Sequence, residues 1–363
     1  MTLACASALV LAAACGGGGS AAADADLGTV ACTTTPLASL PGRHQGGLGL
    51  SANAHGAAIV WRDQLNPISG ATTTHVQQLT LAGAPIGPET TSVAVVAASA
   101  VAVDADGVVW CDERAGQTLQ CTKLGAAPAA LVDFGSRPQL AFGIGAMLLA
   151  DVAAINIDGE VRVRPLDASA LGGTPTTIAS FGALSPVVRL AATATGYVLA
   201  TGTDRGPLTV TRLDDSGHVV GAPIVTRAMW HGTDLAIAAA GDDVILVWPD
   251  LLQRQIIAQT VRGSGAVSEP VDTGAAIDSS RVGAAASPGG FAVTWADFAG
   301  HIALRLFSVD GAPRGTPQPL VPTAWAGNEQ ALVAVPDGFL LATAMDPVAD
   351  EIQLAHVACT AAP

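Results

Sequence analysis

The chain repeats itself. Segments GAAIVWRD (56–63), GVVWCD (107–112), DVILVWPD (243–250) and GFAVTWADF (290–298) share one pattern, and AMLLAD (146–151), GYVLATGTD (196–204) and GFLLATAMD (338–346) are weaker copies. Each is an apolar, often β-branched run that ends in Asp, and these Asp residues fall at 63, 112, 151, 204, 250, 297 and 346, a period of about 47 residues. A unit of this length cannot bury its own apolar face, so the copies must stack on one another. Short runs of small apolar residues precede the Asp-tipped ones: LGLS, VAVD, LAFG, LAAT, LAIA, VGAA and LVAV. Alternating runs such as LTVTRL (208–213) and IALRLF (302–307) follow them, and turn-bearing segments such as LAGAPIGPE and SVDGAPRGTPQPLV lead on to a fourth run. The spacing therefore predicts four short strands per unit and no helix beyond the N-terminal apolar stretch. Composition agrees, since 50% apolar and 13% charged residues exclude a chain disordered for want of a core, and the 41 Gly and 22 Pro are dispersed as turn residues would be.

Seven four-stranded units resemble a seven-bladed β-propeller, an all-β fold of antiparallel blades, over residues 29–359. The resemblance is one of architecture, with no WD40 or kelch signature. A row of two-sheet sandwiches is the competing arrangement, but about 47 residues is too short for a sandwich domain. In a propeller the small residues of the first run suit the crowded innermost strands, and Trp61, Trp110, Trp248 and Trp295 suit the wider packing between blades. The ends supply a separate indication. The seventh unit stops at EIQLAHVAC after its third run, whereas residues 28–40 stand before the first unit as a spare strand. The N-terminal strand is expected to complete the last blade and remove its exposed edge.

Residues 3–14, LACASALVLAAA, form an apolar run too short to span a bilayer and ending in small residues. The segment Leu11-Ala12-Ala13-Ala14-Cys15 resembles a bacterial lipobox, which implies a signal peptide over 1–14, a palmitate-type acyl chain on Cys15 and a flexible tether over 15–27 before the domain at 28–363. The expected location is the cell envelope, with lipid as the membrane contact. Cys5 falls in the signal, and Cys32, Cys111, Cys121 and Cys359 remain, which can pair in three ways. Cys111 and Cys121 lie symmetrically about Gly116, so a hairpin turning there sets them opposite each other and leaves Cys32 to join Cys359 across the ends of the domain. No CxxC spacing supports a zinc or redox site.

Net charge is −14 with a pI near 4.6, and Lys123 is the only lysine. With no basic stripe, nucleic acid is excluded as a partner. In an antiparallel meander the Asp series and the residues leading into the innermost strands share one face. The latter are Arg137, Arg189, Asp234, Arg281 and Glu329, with Trp230, His231 and Trp325 in the incoming loops. Such a polar and aromatic rim on a rigid scaffold is a candidate binding face. The Asp residues can equally serve their own turns by accepting backbone hydrogen bonds. Seven scattered histidines lack HExxH spacing, no GxSxG is present, and the turns DADG, NIDG, LDDSG and VDG lack the full calcium-loop pattern, so no metal or cofactor is expected. The residues thus point to an envelope lipoprotein whose propeller is a non-catalytic module for an envelope protein or glycan. The alternative is a secreted propeller hydrolase or lyase acting on a glycan, with Asp234 and Glu329 as acid and base; a third is a purely structural envelope protein.

Overall fold

A computed structural model describes residues 30–41, 47–63, 72–94, 99–114, 118–126, 129–134, 136–143, 146–155, 158–167, 172–182, 186–203, 206–230, 234–276, 281–287, 289–296, 301–320, 329–344 and 351–361. These form 28 strands in seven four-stranded antiparallel sheets. The innermost strands of blades one to seven are Gly49–Asn53, Ser99–Asp104, Ser136–Phe142, Val187–Ala192, Ala236–Ala240, Val282–Ser287 and Glu329–Val335. Each contacts the innermost strand of the next blade, and that of blade seven contacts that of blade one, so the sheets close into a propeller ring. The Asp-tipped runs are the second strands, as the repeat predicts. Blades two and three depart slightly, because their second strands, Gly107–Arg114 and Met147–Ile155, run on past Asp112 and Asp151.

The core sits between blades. The second strand of blade one, Gly56–Asp63, is buried along its whole length, because its two faces meet the blades on either side. Trp61 packs with Leu340 and Leu354 of blade seven, Trp248 of blade five with Val198 and Val210 of blade four, and Trp295 of blade six with Ile245 and Val247 of blade five. A near-continuous apolar run is what a strand buried on both faces requires. Glycine opens the second strands of blades six and seven because the third strand presses against it. A Cβ on Gly290 would lie 1.9 Å from the Phe307 carbonyl oxygen, and one on Gly338 would lie 2.1 Å from that of Val357.

Blade seven is assembled from both ends of the described chain. Glu329–Val335, Gly338–Ala344 and Glu351–Ala361 are completed by Val30–Pro41, which pairs with Glu351–Ala361 along nearly its full length. Cys32 stands opposite Cys359 in this register and is bonded to it, while Cys111 and Cys121 face each other in blade two and form the second disulfide. Two disulfides suit an oxidising compartment outside the cytoplasm. Among the described residues no helix is long and apolar enough to cross a membrane. Cys15, His231 and Trp325 lie outside the described residues, as do Asp204, Asp297 and Asp346.

The single tyrosine of the chain clips two blades together. Tyr197 of blade four donates its hydroxyl hydrogen to the Ala146 carbonyl at 2.6 Å and accepts from the Gly143 amide at 3.1 Å, both in blade three. Burial pushes its ionisation up to about 12. A phenol whose folded pKa exceeds its unfolded value stabilises the fold fully below the unfolded pKa, and that contribution is lost as pH rises through the folded value. Absorbance titration of the phenolate is expected to give one transition near 12 in the native protein, against about 10 after denaturation. A native transition at the unfolded value would mean that the clip is not formed.

Candidate functional site

Because antiparallel neighbours reverse direction, first strands begin and second strands end on the same side of the ring. A cavity of about 280 Å³ opens there, lined by the innermost strands of all seven blades. Its space comes from one layer of the register. Counting four residues on from the one that opens each second strand, the partner on the innermost strand is Gly49, Ala100, Ala236, Gly283 or Ala331 in five blades. In the neighbouring blades three and four, counted from Ala146 and Gly196 just ahead of their second strands, it is Gln139 and Arg189, opposite Ala150 and Ala200. All seven line the cavity. Five side chains of one carbon or none leave room, and the two long polar ones stand together on one side.

Two residues earlier, and so on the same face of an extended chain, stand Asp234, Arg281 and Glu329 in blades five, six and seven. Arg189 Nη2 donates to Asp234 Oδ1 at 2.5 Å, and Asp234 Oδ2 accepts from the Val282 amide at 3.3 Å. Arg281 Nη2 donates to Glu329 Oε1 at 3.0 Å, and Glu329 Oε2 accepts from the Leu48 amide at 3.0 Å. Each carboxylate therefore ties the blade before it to the blade after it. The carboxylates are sunk, with side-chain exposures of 8% and 13%, while the guanidinium-bearing side chains of Arg189 and Arg281 are 28% and 43% exposed. What the rim offers to solvent is mostly guanidinium.

Arg62 was not legible as part of this site, since it ends an apolar strand in GAAIVWRD. It is buried beside Gly47, whose absent side chain makes room: a Cβ there would lie 2.5 Å from Arg62 Nε. Burial lowers the Arg62 pKa, while Glu329, Asp112 and Glu113 act in the opposite direction. Charges thus alternate around the rim from Arg189 through Asp234, Arg281, Glu329 and Arg62 to Asp112 and Glu113 of blade two.

The other expected residues separate. Trp230 is 5% exposed, packed between blades four and five, with its Nε1 donating to the Asp234 carbonyl at 3.3 Å. It braces the wall beneath Asp234 and is not presented at the mouth. Arg137 lies within the innermost strand Ser136–Phe142, two residues before Gln139, and its side chain is outside the description. Arg189 likewise lies inside a strand and not ahead of it. The described members of the Asp series have local partners. Asp250 Oδ1 accepts from the Leu252 and Gln253 amides at 3.0 and 3.1 Å, and Asp63 Oδ2 is 4.0 Å from His75 Nε2. Asp151 takes Arg162 at 2.7 Å and Arg164 at 3.3 Å; burial raises its pKa although both arginines pull it down. Among the described residues no cluster of three His, Cys, Asp or Glu is placed to hold a metal.

No family model and no curated protein matches the chain. Solved structures do. A chain of a mitotic checkpoint complex is 15% identical with a TM-score of 0.57, the match covering 88% of this chain and 93% of that one. A chain of Kuenenia stuttgartiensis hydrazine synthase is 13% identical at 0.57, covering 87% and 97%. The polysaccharide lyase Uly1 is 11% identical at 0.55, covering 86% and 90%. At these identities the likeness establishes the propeller fold and nothing finer.

Proposed function

We propose that the protein is a lipid-anchored envelope protein whose propeller acts as a non-catalytic binding module, with the cavity mouth as its ligand site. One observation carries this reading: each oxygen of Asp234 and Glu329 already accepts a hydrogen bond from an arginine or a backbone amide. A general base must reach a substrate proton, and these carboxylates are spent on joining blades. The arrangement of the ends adds an orientation. Val30 pairs with Ala361, at the far end of blade seven from the Pro41–Glu351 pair, and so lies on the side opposite the mouth. An anchor on Cys15 connects to the ring through Val30, on the side away from the mouth, and so leaves the mouth accessible.

Two measurements test the reading with one protein. Fractionation of the Cys15→Ser form is expected to release it from the membrane, since a net charge of −14 gives no affinity for anionic lipid; retention on the membrane contradicts the anchor. The released form then serves as bait for envelope extract, beside a version that also carries Arg189→Ala and Arg281→Ala and keeps its β-sheet circular dichroism. Material held by the first and lost by the second supports a site at the mouth. Equal retention removes the mouth from the account.

A further inference from the structure

We propose that the Gln139–Arg189 side of the cavity is a subsite for the carboxylate of a small monoanionic ligand. This rests on the binding-module reading and specifies what the module takes. The register layer carries the argument: five of its seven positions are Gly or Ala, and the two long polar side chains are neighbours, so recognition is one-sided and the other side is room for the rest of the ligand.

The donors suit a carboxylate. A guanidinium has five N–H groups, and the bonds of Arg189 to the Val188 carbonyl (2.9 Å) and to Asp234 engage one on each terminal nitrogen. Among the described residues the Arg189 side chain makes no other hydrogen bond, and the residues of the adjoining blade three that line the cavity are Gln139 and Leu140. Gln139 donates one Nε2 hydrogen to the Pro138 carbonyl at 2.8 Å, which leaves the other for a ligand oxygen. A planar carboxylate takes two parallel N–H bonds from such a fork. Asp234 on the other side of Arg189 is its ion-pair partner, so a second negative charge on the ligand finds no further cation among the described lining residues of this side, and a monoanionic carboxylate is the better match. The size is bounded too: about 280 Å³ holds roughly nine waters at ~30 Å³ each, enough for one amino acid or organic acid or for the end unit of a longer chain.

The test is calorimetric titration of the full chain at low ionic strength with N-acetylalanine, its neutral amide and inorganic phosphate. The acid is expected to bind at least about tenfold more tightly than either of the others, and more weakly as salt is added. Arg189→Gln should abolish the preference for acid over amide. Because that change also removes a partner of Asp234, Gln139→Glu is the second variant: it puts a carboxylate on the same side and is expected to lose the acid while its melting temperature stays at or above that of the parent. Lys123→Gln, between Asp104 and Asp106 on the opposite side of the ring, should bind as the parent does. Equal binding of acid and amide, no binding of the acid, or undiminished acid binding by Gln139→Glu overturns the proposal. If any of these occurs while the bait still captures envelope material through its mouth, the carboxylate subsite fails and the binding module stands; if the capture fails as well, both fall.

Discussion

Replacing Cys359 by Ser is expected to lower stability by up to about 6 kcal/mol, the chain-entropy value for a loop of this length, because the Cys32–Cys359 bond spans 327 residues. The same relation gives roughly 3 kcal/mol for Cys111–Cys121, whose separation is 10. Domains of ordinary stability hold about 5–15 kcal/mol in all, so both losses are substantial and that of the long bridge is about twice that of the short one. What resists opening without the bridge is the pairing of Val30–Pro41 with Glu351–Ala361 and the bond from the Cys32 amide to Gln318 Oε1 of blade six at 2.8 Å. The measurement is the denaturant midpoint of oxidised parent against Cys359→Ser and Cys121→Ser, with slopes compared to check that the unfolding transition is the same. A larger fall for Cys121→Ser than for Cys359→Ser would mean that the ring is not closed by its N-terminal strand.

Asp151→Ala is the second change with a large expected effect, about 3–5 kcal/mol, the usual cost of removing one partner from a buried ion pair. Asp151 is fully buried between Arg162 and Arg164, whose side chains are 12% and 4% exposed, and its loss takes the carboxylate from between two guanidiniums. Burial already raises its pKa, so the pair stabilises less than its short distances suggest, and the damage comes from the arginines left behind. Asp151→Asn, which keeps one acceptor oxygen, is expected to lose less than the Ala form. Thermal unfolding of the three proteins checks this; equal stability of Asp151→Ala and the parent would show that the arginines are carried by other contacts.

The architecture was legible because it is written seven times. A weak pattern such as GYVLATGTD is read correctly through its stronger copies, the spare strand before the first unit predicts the closure of blade seven, and the pairing of Cys111 with Cys121 leaves Cys32 for Cys359. The site was legible only in part, and for a physical reason. Asp234, Arg281 and Glu329 stand out as charges ahead of apolar runs, but which residues share a layer depends on strand register, where a slip of one residue turns a side chain to the other face. Gln139 therefore carries no mark in the sequence, and Arg189 reads as preceding its strand although it lies within it. Arg62 was hidden by its neighbours in an apolar strand. Trp230 illustrates the reverse error, since a tryptophan before an innermost strand reads the same whether it faces a ligand or, as here, fills the wall and bonds to the Asp234 carbonyl. The ion pairs themselves join residues 45 and 48 apart, one repeat along, a relation that only the closed ring makes visible.

The central claim is that the mouth binds and does not convert. The direct measurement is to hold the envelope material captured by the bait on the parent protein and on Asp234→Asn and Glu329→Gln forms, and to compare its mass before and after prolonged incubation. The account predicts recovery of unchanged material from all three. Cleavage or elimination products from the parent that are absent with Asp234→Asn or Glu329→Gln would contradict it and make the two carboxylates catalytic.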